Sequence, residues 1–318
     1  MEIGGYLSFE FEKGTELYEN ALHLNLGRSA IEYMLASKIY SSVYLPKWCC
    51  DSVWMPAKKT NTAISWYNID ESFLPVGIEP GTDDLVVVIN YFGLLDDGTI
   101  RKLSQRYQQL LIDNSQAFYS LPQEEVSTLY SARKFFGVPD GAYLFTTNRL
   151  ARDLEPDCSY QRFEYLFRRL DMGAEDGYES YKSNERAFSD CPMRLMSNST
   201  RSVLSGVDYA AVCAQRERNW ELLHRELGKR NKLKFDLAPP GPLCYPFMSN
   251  DGDTARSVLI AKKVFVPTYW SEALGRLTTL DLEYSYIKNI LPLPVDQRYS
   301  SHEMSVIIQY LEEHFGEG

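Results

Sequence analysis

Two charged residues in the 318-residue chain could bind and activate a small molecule. Asp113 is the last residue of the apolar run LLID, which we predict to be a strand. Open α/β sheets bind their ligands at the carboxyl ends of their strands, where Asp113 would lie. The alternative interpretation of Asp113 is a turn or helix N-cap, since aspartate is favoured there. Lys134 follows 21 residues later in YSARKFFGVPDGAYL. Because two aromatic residues come next, we expect Lys134 to be partly buried and therefore a usable nucleophile. The alternative is a surface lysine on a loop.

A third position could hold a phosphate group. Gly27, Arg28 and Ser29 precede a helical pattern over residues 30–37. The free backbone N–H groups at a helix start can hold an anion, and an arginine or a hydroxyl adds to it. Most starts of this kind are only caps, which is the alternative here.

The three positions together match what pyridoxal phosphate requires. This cofactor needs a lysine for its Schiff base, an acid facing its ring nitrogen and a phosphate site. It also needs a flat surface against its ring. Trp48 and Tyr91, each just after a predicted strand, are candidates for that surface, although either could be an ordinary core or rim aromatic.

The elements around these positions predict an α/β fold. The run LVVVIN at 85–90 is apolar on both faces, as in a central parallel strand. Strand and helix patterns alternate through the first half, which indicates βαβ units and a mostly parallel, doubly wound sheet. Strands are predicted at 42–45, 63–69, 85–90, 110–113 and 142–146, and helices at 50–59 and 99–109.

The pattern changes near residue 160. We expect a large cofactor-binding domain over 1–205 and a smaller C-terminal α/β domain over 206–318 that includes a linking helix. The segment APPGP, at 238–242, interrupts the helical part. Predicted helices here are 160–171, 178–190, 203–232, 254–263 and 301–315, with strands at 243–247 and 264–266.

Composition excludes several classes of protein. There are 33 Lys and Arg against 43 Asp and Glu, so the net charge of −10 argues against a nucleic-acid binder and against docking on an anionic membrane. No apolar stretch is long enough to span a membrane, and glutamates stand where a signal peptide carries basic residues. A cytoplasmic location is therefore expected. Six cysteines and four histidines show no metal-ligand spacing and no disulfide framework.

Seven segments resemble the DegT/StrS group of sugar-nucleotide aminotransferases, which depend on pyridoxal phosphate. The run IDNSQA resembles the group's Glu-Asp-x-Ala-Gln-Ala motif, and YSARKFFGVPDGAYL resembles its lysine loop with the strand that follows. These two are the specific matches, and the resemblance covers nearly the whole chain. The supporting segments are GRSAIEYML, LPKWCCDSV, VVVINYFGLLDDGTI, VPTYW and LPLPVDQRYSSHEM.

The resemblance implies an aspartate-aminotransferase-like, three-layer fold (pyridoxal-phosphate fold type I). It also implies transfer of an amino group, from glutamate, to a keto sugar nucleotide by a homodimer. Lys134 would form the Schiff base and move the proton, while Asp113 would keep the ring nitrogen protonated. Gln116 would contact the ring oxygen or the surroundings of Lys134. The phosphate would lie at Gly27, Arg28, Ser29 and Ser131.

The chain also departs from the group. The segment between Asp113 and Lys134 is shorter, Arg28 stands where the group has threonine, and Met193–Met196 is a reduced form of its Asn-Tyr-Arg-Met motif. These departures support an alternative function, a catalytically silent scaffold with the same fold. A Rossmann enzyme is a weaker alternative, since no GxGxxG follows the first strand.

Aromatic residues near the N-terminus bear on assembly. Tyr6, Phe9, Phe11 and Tyr18 have no obvious partner in their own pattern. They either cover a neighbouring subunit or fold onto their own domain, and we expect the two outcomes equally.

Overall fold

Eight strands form one mixed sheet in the computed structural model, which describes residues 3–12, 14–235 and 238–316. Their order is β1-β8-β7-β6-β5-β2-β3-β4. The five strands from β7 to β3 run parallel to one another, whereas β8 is antiparallel to both β7 and β1, and β4 is antiparallel to β3. The strands are β1 Leu22–Leu24, β2 Ser42–Pro46, β3 Ala63–Ile69, β4 Pro75–Val76, β5 Asp84–Ile89, β6 Leu110–Asp113, β7 Ser127–Ser131 and β8 Ala142–Phe145.

Ten α-helices accompany this sheet in the described residues, and the predicted α/β class with a mostly parallel sheet is confirmed. The five residues of β5 after Asp84 are all buried, as the two-sided apolar run predicts. The helices are α1 Gly27–Ser37, α2 Asp51–Lys59, α3 Asp97–Arg106, α4 Glu164–Met172, α5 Ala174–Ala187, α6 Asn198–Ser205, α7 Tyr209–Leu227, α8 Gly252–Ala261, α9 Leu282–Asn289 and α10 Ser301–Phe315.

The strand register places the candidate site. Ile89 of β5 pairs with Asp113 of β6, and Asp113 pairs with Leu129 of β7. The carboxyl ends of these three parallel strands therefore lie side by side at one edge of the sheet, where loops carry ligand-binding groups.

A second, two-stranded antiparallel sheet lies in the C-terminal part. It consists of β9 Cys244–Met248 and β10 Ile290–Pro294. Side chains of these strands, α7, α8 and α10 form their own apolar cluster. The proposed boundary between residues 205 and 206 falls between α6 and α7, and the division into two domains remains a prediction.

Two predicted elements of this part were wrong. The single helix over 203–232 is broken after Ser205, and α7 begins anew with Asp208 as its N-cap, which accepts a hydrogen bond from the Ala211 amide at 2.9 Å. Residues 264–266 form no strand, although Val266 is buried in the C-terminal cluster. In the part of the chain that the structure describes, no helix is both long and apolar enough to cross a membrane, and no cluster of metal-ligating side chains occurs.

Candidate active site

A cleft opens at the carboxyl ends of β5, β6 and β7. Its empty space amounts to about 630 Å³, open solvent included. Six of the nine predicted site residues line it. The lining consists of Leu26, Gly27, Arg28, Ile31, Cys50, Ser52, Val53, Ile89, Asp113, Ser115, Gln116, Ser131, Arg133, Lys134, Phe188 and Trp270.

Asp113 is the carboxylate of this cleft. It is the last residue of β6 and is only 4% exposed. Its Oδ1 accepts a hydrogen bond from the Ser115 amide at 2.8 Å, which fixes the side chain, and its Oδ2 has no hydrogen-bond partner among the described residues. Gln116 lines the same wall, with its Oε1 accepting from the Phe92 amide at 2.7 Å. One carboxylate oxygen is thus left to meet a ligand.

Lys134 faces the same cleft from the strand next to β6. It ends the short 3-10 turn Ala132–Lys134 that follows β7. The expectation of partial burial was wrong, because Lys134 is exposed while its neighbours Phe135 and Phe136 are buried. The aromatic pair packs into a core cluster, whereas the lysine before it lines the cleft.

The backbone beside Lys134 is held by the C-terminal part of the chain. The carbonyl of Phe135 accepts from Arg216 Nη2 at 3.1 Å and from Gln297 Nε2 at 2.9 Å. Arg216 is almost completely buried, and burial lowers its pKa to about 10, although the nearby Asp296 opposes the change. The backbone that carries Lys134 is thus fixed by side chains from the C-terminal part.

The start of α1 lies at the wall of the cleft. Leu26 occupies the N-cap position, where its side chain cannot accept a hydrogen bond, so the first-turn N–H groups lack a side-chain cap. An added Cβ at Gly27 would stand 3.8 Å from Ser115 Oγ and 3.9 Å from Ser131 Cβ. Gly27 and these two serines therefore surround a small space in front of an uncapped helix, where a phosphate is favoured.

Arg28 brings a full positive charge to that space. Its Nη1 donates to the Phe188 carbonyl at 2.8 Å and its Nη2 to Ser52 Oγ at 2.7 Å. Burial lowers the pKa of its guanidinium, although an arginine remains charged at neutral pH. Five N–H donors leave Arg28 capable of contacting an anion while it keeps both bonds.

Ser29 lies outside the cleft, contrary to the prediction. It is 1% exposed, and its Oγ donates to Asn25 Oδ1 at 2.7 Å. The Asn25 amide in turn donates to Asp157 Oδ2 and to the Pro192 carbonyl, both at 3.0 Å. A helix residue one step past Arg28 faces the core, so Ser29 ties α1 to the loop that carries Phe188 rather than meeting a phosphate.

Trp48 and Tyr91 also lie outside the cleft lining. Their rings stack on each other with centroids 4.8 Å apart, and both are 1% exposed. Trp48 Nε1 donates to the Tyr269 carbonyl at 3.0 Å, and the Tyr91 hydroxyl donates to the Trp48 carbonyl. They are core aromatics beside the cleft, which was the alternative interpretation of each.

Several lining residues were missed in the sequence. Cys50 and Ser52 lie in the segment LPKWCCDSV, whose resemblance to the family implies no role for either residue. Burial raises the pKa of the Cys50 thiol, although the positive charge of Lys134 opposes the change. Trp270, in the segment VPTYW, arrives from the opposite end of the chain. The other lining residues without a predicted role are Leu26, Ile31, Val53, Ile89, Ser115, Arg133 and Phe188.

No family model and no curated protein sequence matches this chain. Solved structures do match it across almost its whole length. DesV from S. venezuelae, solved in complex with a ketimine intermediate, has a TM-score of 0.66 and 16% identity, over 94% of this chain and 85% of DesV. The sugar aminotransferase CalS13 from Micromonospora echinospora has a TM-score of 0.62 and 13% identity, over 92% and 87%.

A third match holds a cofactor. NtdA from Bacillus subtilis, solved with bound PMP, has a TM-score of 0.64 and 12% identity, over 92% of this chain and 72% of NtdA. The chain has the fold of these proteins. The predicted aspartate-aminotransferase-like fold is therefore confirmed, and at these identities the likeness concerns the fold alone.

Proposed function

We propose that this protein is a pyridoxal-phosphate-dependent aminotransferase. The observation that carries the proposal is the meeting of Asp113 and Lys134, from neighbouring strands, in one cleft with the uncapped start of α1. Neither a silent scaffold nor a Rossmann enzyme requires a carboxylate, an accessible lysine and an anion site together. The fold shared with CalS13 and with the PMP-bound NtdA supports it.

The residues present fit this cofactor. Its phosphate would be held by the α1 amides, Arg28 and Ser131, and its ring nitrogen would face the free oxygen of Asp113. Bound there, the cofactor supplies an electron sink for the carbon that loses a proton. The cleft thus offers the Asp113 carboxylate to the ring nitrogen, Arg28 and the α1 N–H groups to the phosphate, and the amine of Lys134.

Each of the chain's own residues has a distinct task. The Asp113 carboxylate holds a proton on the ring nitrogen, because an adjacent anion favours the protonated form. Lys134 Nζ would hold the cofactor at rest and, once free, would move a proton to and from the α-carbon of the substrate. Gln116 fixes the turn at Phe92 through its Oε1 and lines the cleft beside Asp113. Exposure of Lys134 allows its tip to make this movement.

For the substrates, we propose an amino-acid donor, glutamate, and a keto sugar carried on a nucleotide. The names of the structural neighbours support a sugar acceptor, since CalS13 is a sugar aminotransferase. The openness of the cleft to solvent around Lys134 is compatible with a bulky acceptor.

The test separates this function from a silent scaffold, which the short Asp113–Lys134 segment favours. Protein loaded with pyridoxal phosphate is mixed with L-glutamate, and the visible absorbance of the cofactor is followed. A transaminase converts the cofactor to its amine form with release of 2-oxoglutarate, and Lys134→Met abolishes the conversion. A scaffold would bind the cofactor and leave its spectrum unchanged. Lys102→Met, on the exposed face of α3, is the matched control.

A further inference from the structure

Trp270 lies in the cleft wall and has no role in the proposed function so far. Its side chain is half-buried and comes from the C-terminal part of the chain. It packs edge-on against Trp48 and Tyr91, with ring centroids 5.7 Å apart in both pairs. These contacts place its indole beside the end of β5.

The segment that carries Trp270 is tied down on both sides. Before it, the Tyr269 carbonyl accepts the hydrogen bond of Trp48 Nε1. After it, Arg276 donates from Nε to the Lys47 carbonyl at 3.1 Å and also bonds the carbonyl of Cys49. Both anchors lie on the same loop after β2, so residues 269–276 form a strap across that loop with Trp270 between its attachments.

The backbone of Trp270 is unusual for a residue with a large side chain. Its φ of 59° and ψ of 54° lie in the left-handed region, which is unfavourable for residues other than glycine. Conformations of this kind persist where surrounding contacts impose them, and they cluster at ligand sites. The two anchors of the strap are such contacts.

The other aromatic side chains near the cleft are already engaged. Phe188 is 2% exposed, and the guanidinium groups of Arg133 and Arg162 lie 5.1 and 5.6 Å from its ring centre. Trp48 and Tyr91 stack on each other. The Tyr269 ring stacks on Trp270 with centroids 5.8 Å apart, yet Trp270 is only half-buried and is the aromatic group of the described cleft lining that keeps exposed surface.

Trp270 is also close to the acid of the site. Its neighbour Tyr91 follows β5 by two residues, and Ile89 of β5 is the register partner of Asp113. Ile89, Asp113 and Trp270 all line the one cleft. A flat ring whose nitrogen met Asp113 would therefore lie within reach of the indole.

We propose that Trp270 is the platform against which the flat heteroaromatic ring of the bound cofactor stacks. This inference rests on the proposed function, and it gives to a C-terminal residue the contact that the sequence suggested for Trp48 or Tyr91. The strap residue Arg276 is a positioning residue, since it reaches the ring only through Trp270. The aromatic face restricts tilt of the ring, and this keeps its nitrogen opposite Asp113.

Binding of pyridoxamine 5′-phosphate tests the proposal, because this amine form needs no covalent link to Lys134. Affinity is measured by titration calorimetry, and ring orientation by circular dichroism in the absorption band of the ligand. We expect Trp270→Phe to stay within about threefold of the wild type. Trp270→Leu keeps an apolar side chain but loses the flat aromatic face. Binding of pyridoxamine 5′-phosphate should therefore weaken roughly 5- to 100-fold, and the dichroism of the ligand band should decrease.

The matched control is Trp54→Phe, since Trp54 lies on α2 outside the cleft and bonds only Asp51. Thermal melting establishes that each variant is folded, and Trp270→Phe supplies the comparison if Trp270→Leu is unstable. Wild-type-like affinity and dichroism in a folded Trp270→Leu variant would overturn the inference alone. A wild type that bound no pyridoxamine phosphate would instead defeat the proposed function, and this inference with it.

Discussion

Arg28 and Ser52 join the first turns of α1 and α2 through a hydrogen bond of 2.7 Å at the wall of the cleft. The guanidinium is held from its other side by the Phe188 carbonyl. Its position is therefore set before any ligand arrives. A cation fixed in this way beside an uncapped helix start can contact an anion with little loss of side-chain entropy.

We predict that Arg28→Met weakens pyridoxal phosphate more than it weakens pyridoxal. Loss of a hydrogen bond to a charged group costs about 1.5–3 kcal/mol, which is roughly a 10- to 100-fold loss of affinity. Arg28→Lys keeps the charge but lacks the forked N–H donors of arginine. Its affinity for pyridoxal phosphate should therefore lie between those of the wild type and of Arg28→Met. Spectroscopic titration with the two ligands measures the difference. Equal weakening of both ligands would show that Arg28 supports the cleft without touching the phosphate.

Asp113→Asn tests the acid of the site. Asparagine keeps the shape and the bond from the Ser115 amide but removes the charge opposite the ring nitrogen. The rate of amino transfer should fall roughly 100-fold or more, about 3 kcal/mol in the barrier, while the cofactor still binds. Stopped-flow measurement of the half-reaction gives the rate. The control is Asp97→Asn on the exposed start of α3, and near-normal turnover in Asp113→Asn would mean that the carboxylate faces another group.

Arg216→Met tests the support beneath Lys134. It removes bonds from a buried guanidinium to the carbonyls of Pro242 and Phe135. Leaving the Pro242 carbonyl unpaired should lower the free energy of unfolding by about 1–3 kcal/mol. Urea denaturation measures this, with Arg218→Met, exposed on the same helix, as the control. A change of less than about 0.5 kcal/mol, as for an ordinary surface substitution, would contradict the structural role.

We predict a homodimer, and the N-terminal segment offers the surface. Tyr6 is 99% and Phe9 69% exposed, whereas Tyr18 is 4% exposed and packs on its own domain. Burying such apolar side chains against a second copy is favourable. Light scattering should give about twice 36.6 kDa, and the double variant Tyr6→Ser, Phe9→Ser should shift the mass toward the monomer. Leu280→Ser is the control at an equally exposed, distant site, and a wild-type monomer that bound cofactor tightly would contradict the prediction.

Elements with strong local patterns were predicted well. The strands at 63–69 and 110–113 and the helix at 301–315 have the predicted bounds, because β-branched runs and a capping box at Ser300 are local signals. The strands β1, β4, β7 and β10 were missed. The three-residue β1 exists only through its pairing with β8. The helix α9, between two short loops, was also missed.

The candidate site was predictable where backbone position alone decides it. Asp113 ends β6, Lys134 ends the turn after β7, and Gly27 begins α1. Parallel strands bring their carboxyl ends together at one edge of the sheet. The direction of a side chain in a loop depends on tertiary packing, so the sequence could not exclude Trp48 and Tyr91. The position of Trp270 depends on hydrogen bonds to Lys47 and Trp48, which lie more than 200 residues away in the chain. No local sequence pattern reveals such contacts.

The attachment of the cofactor to Lys134 is the central claim, and borohydride reduction measures it most directly. The pure protein is incubated with pyridoxal phosphate, reduced, digested and mapped by mass spectrometry, beside Lys134→Met and Lys102→Met. The account predicts one modified peptide, containing Lys134, which disappears only in Lys134→Met. Modification of a different lysine, or of none, would contradict it.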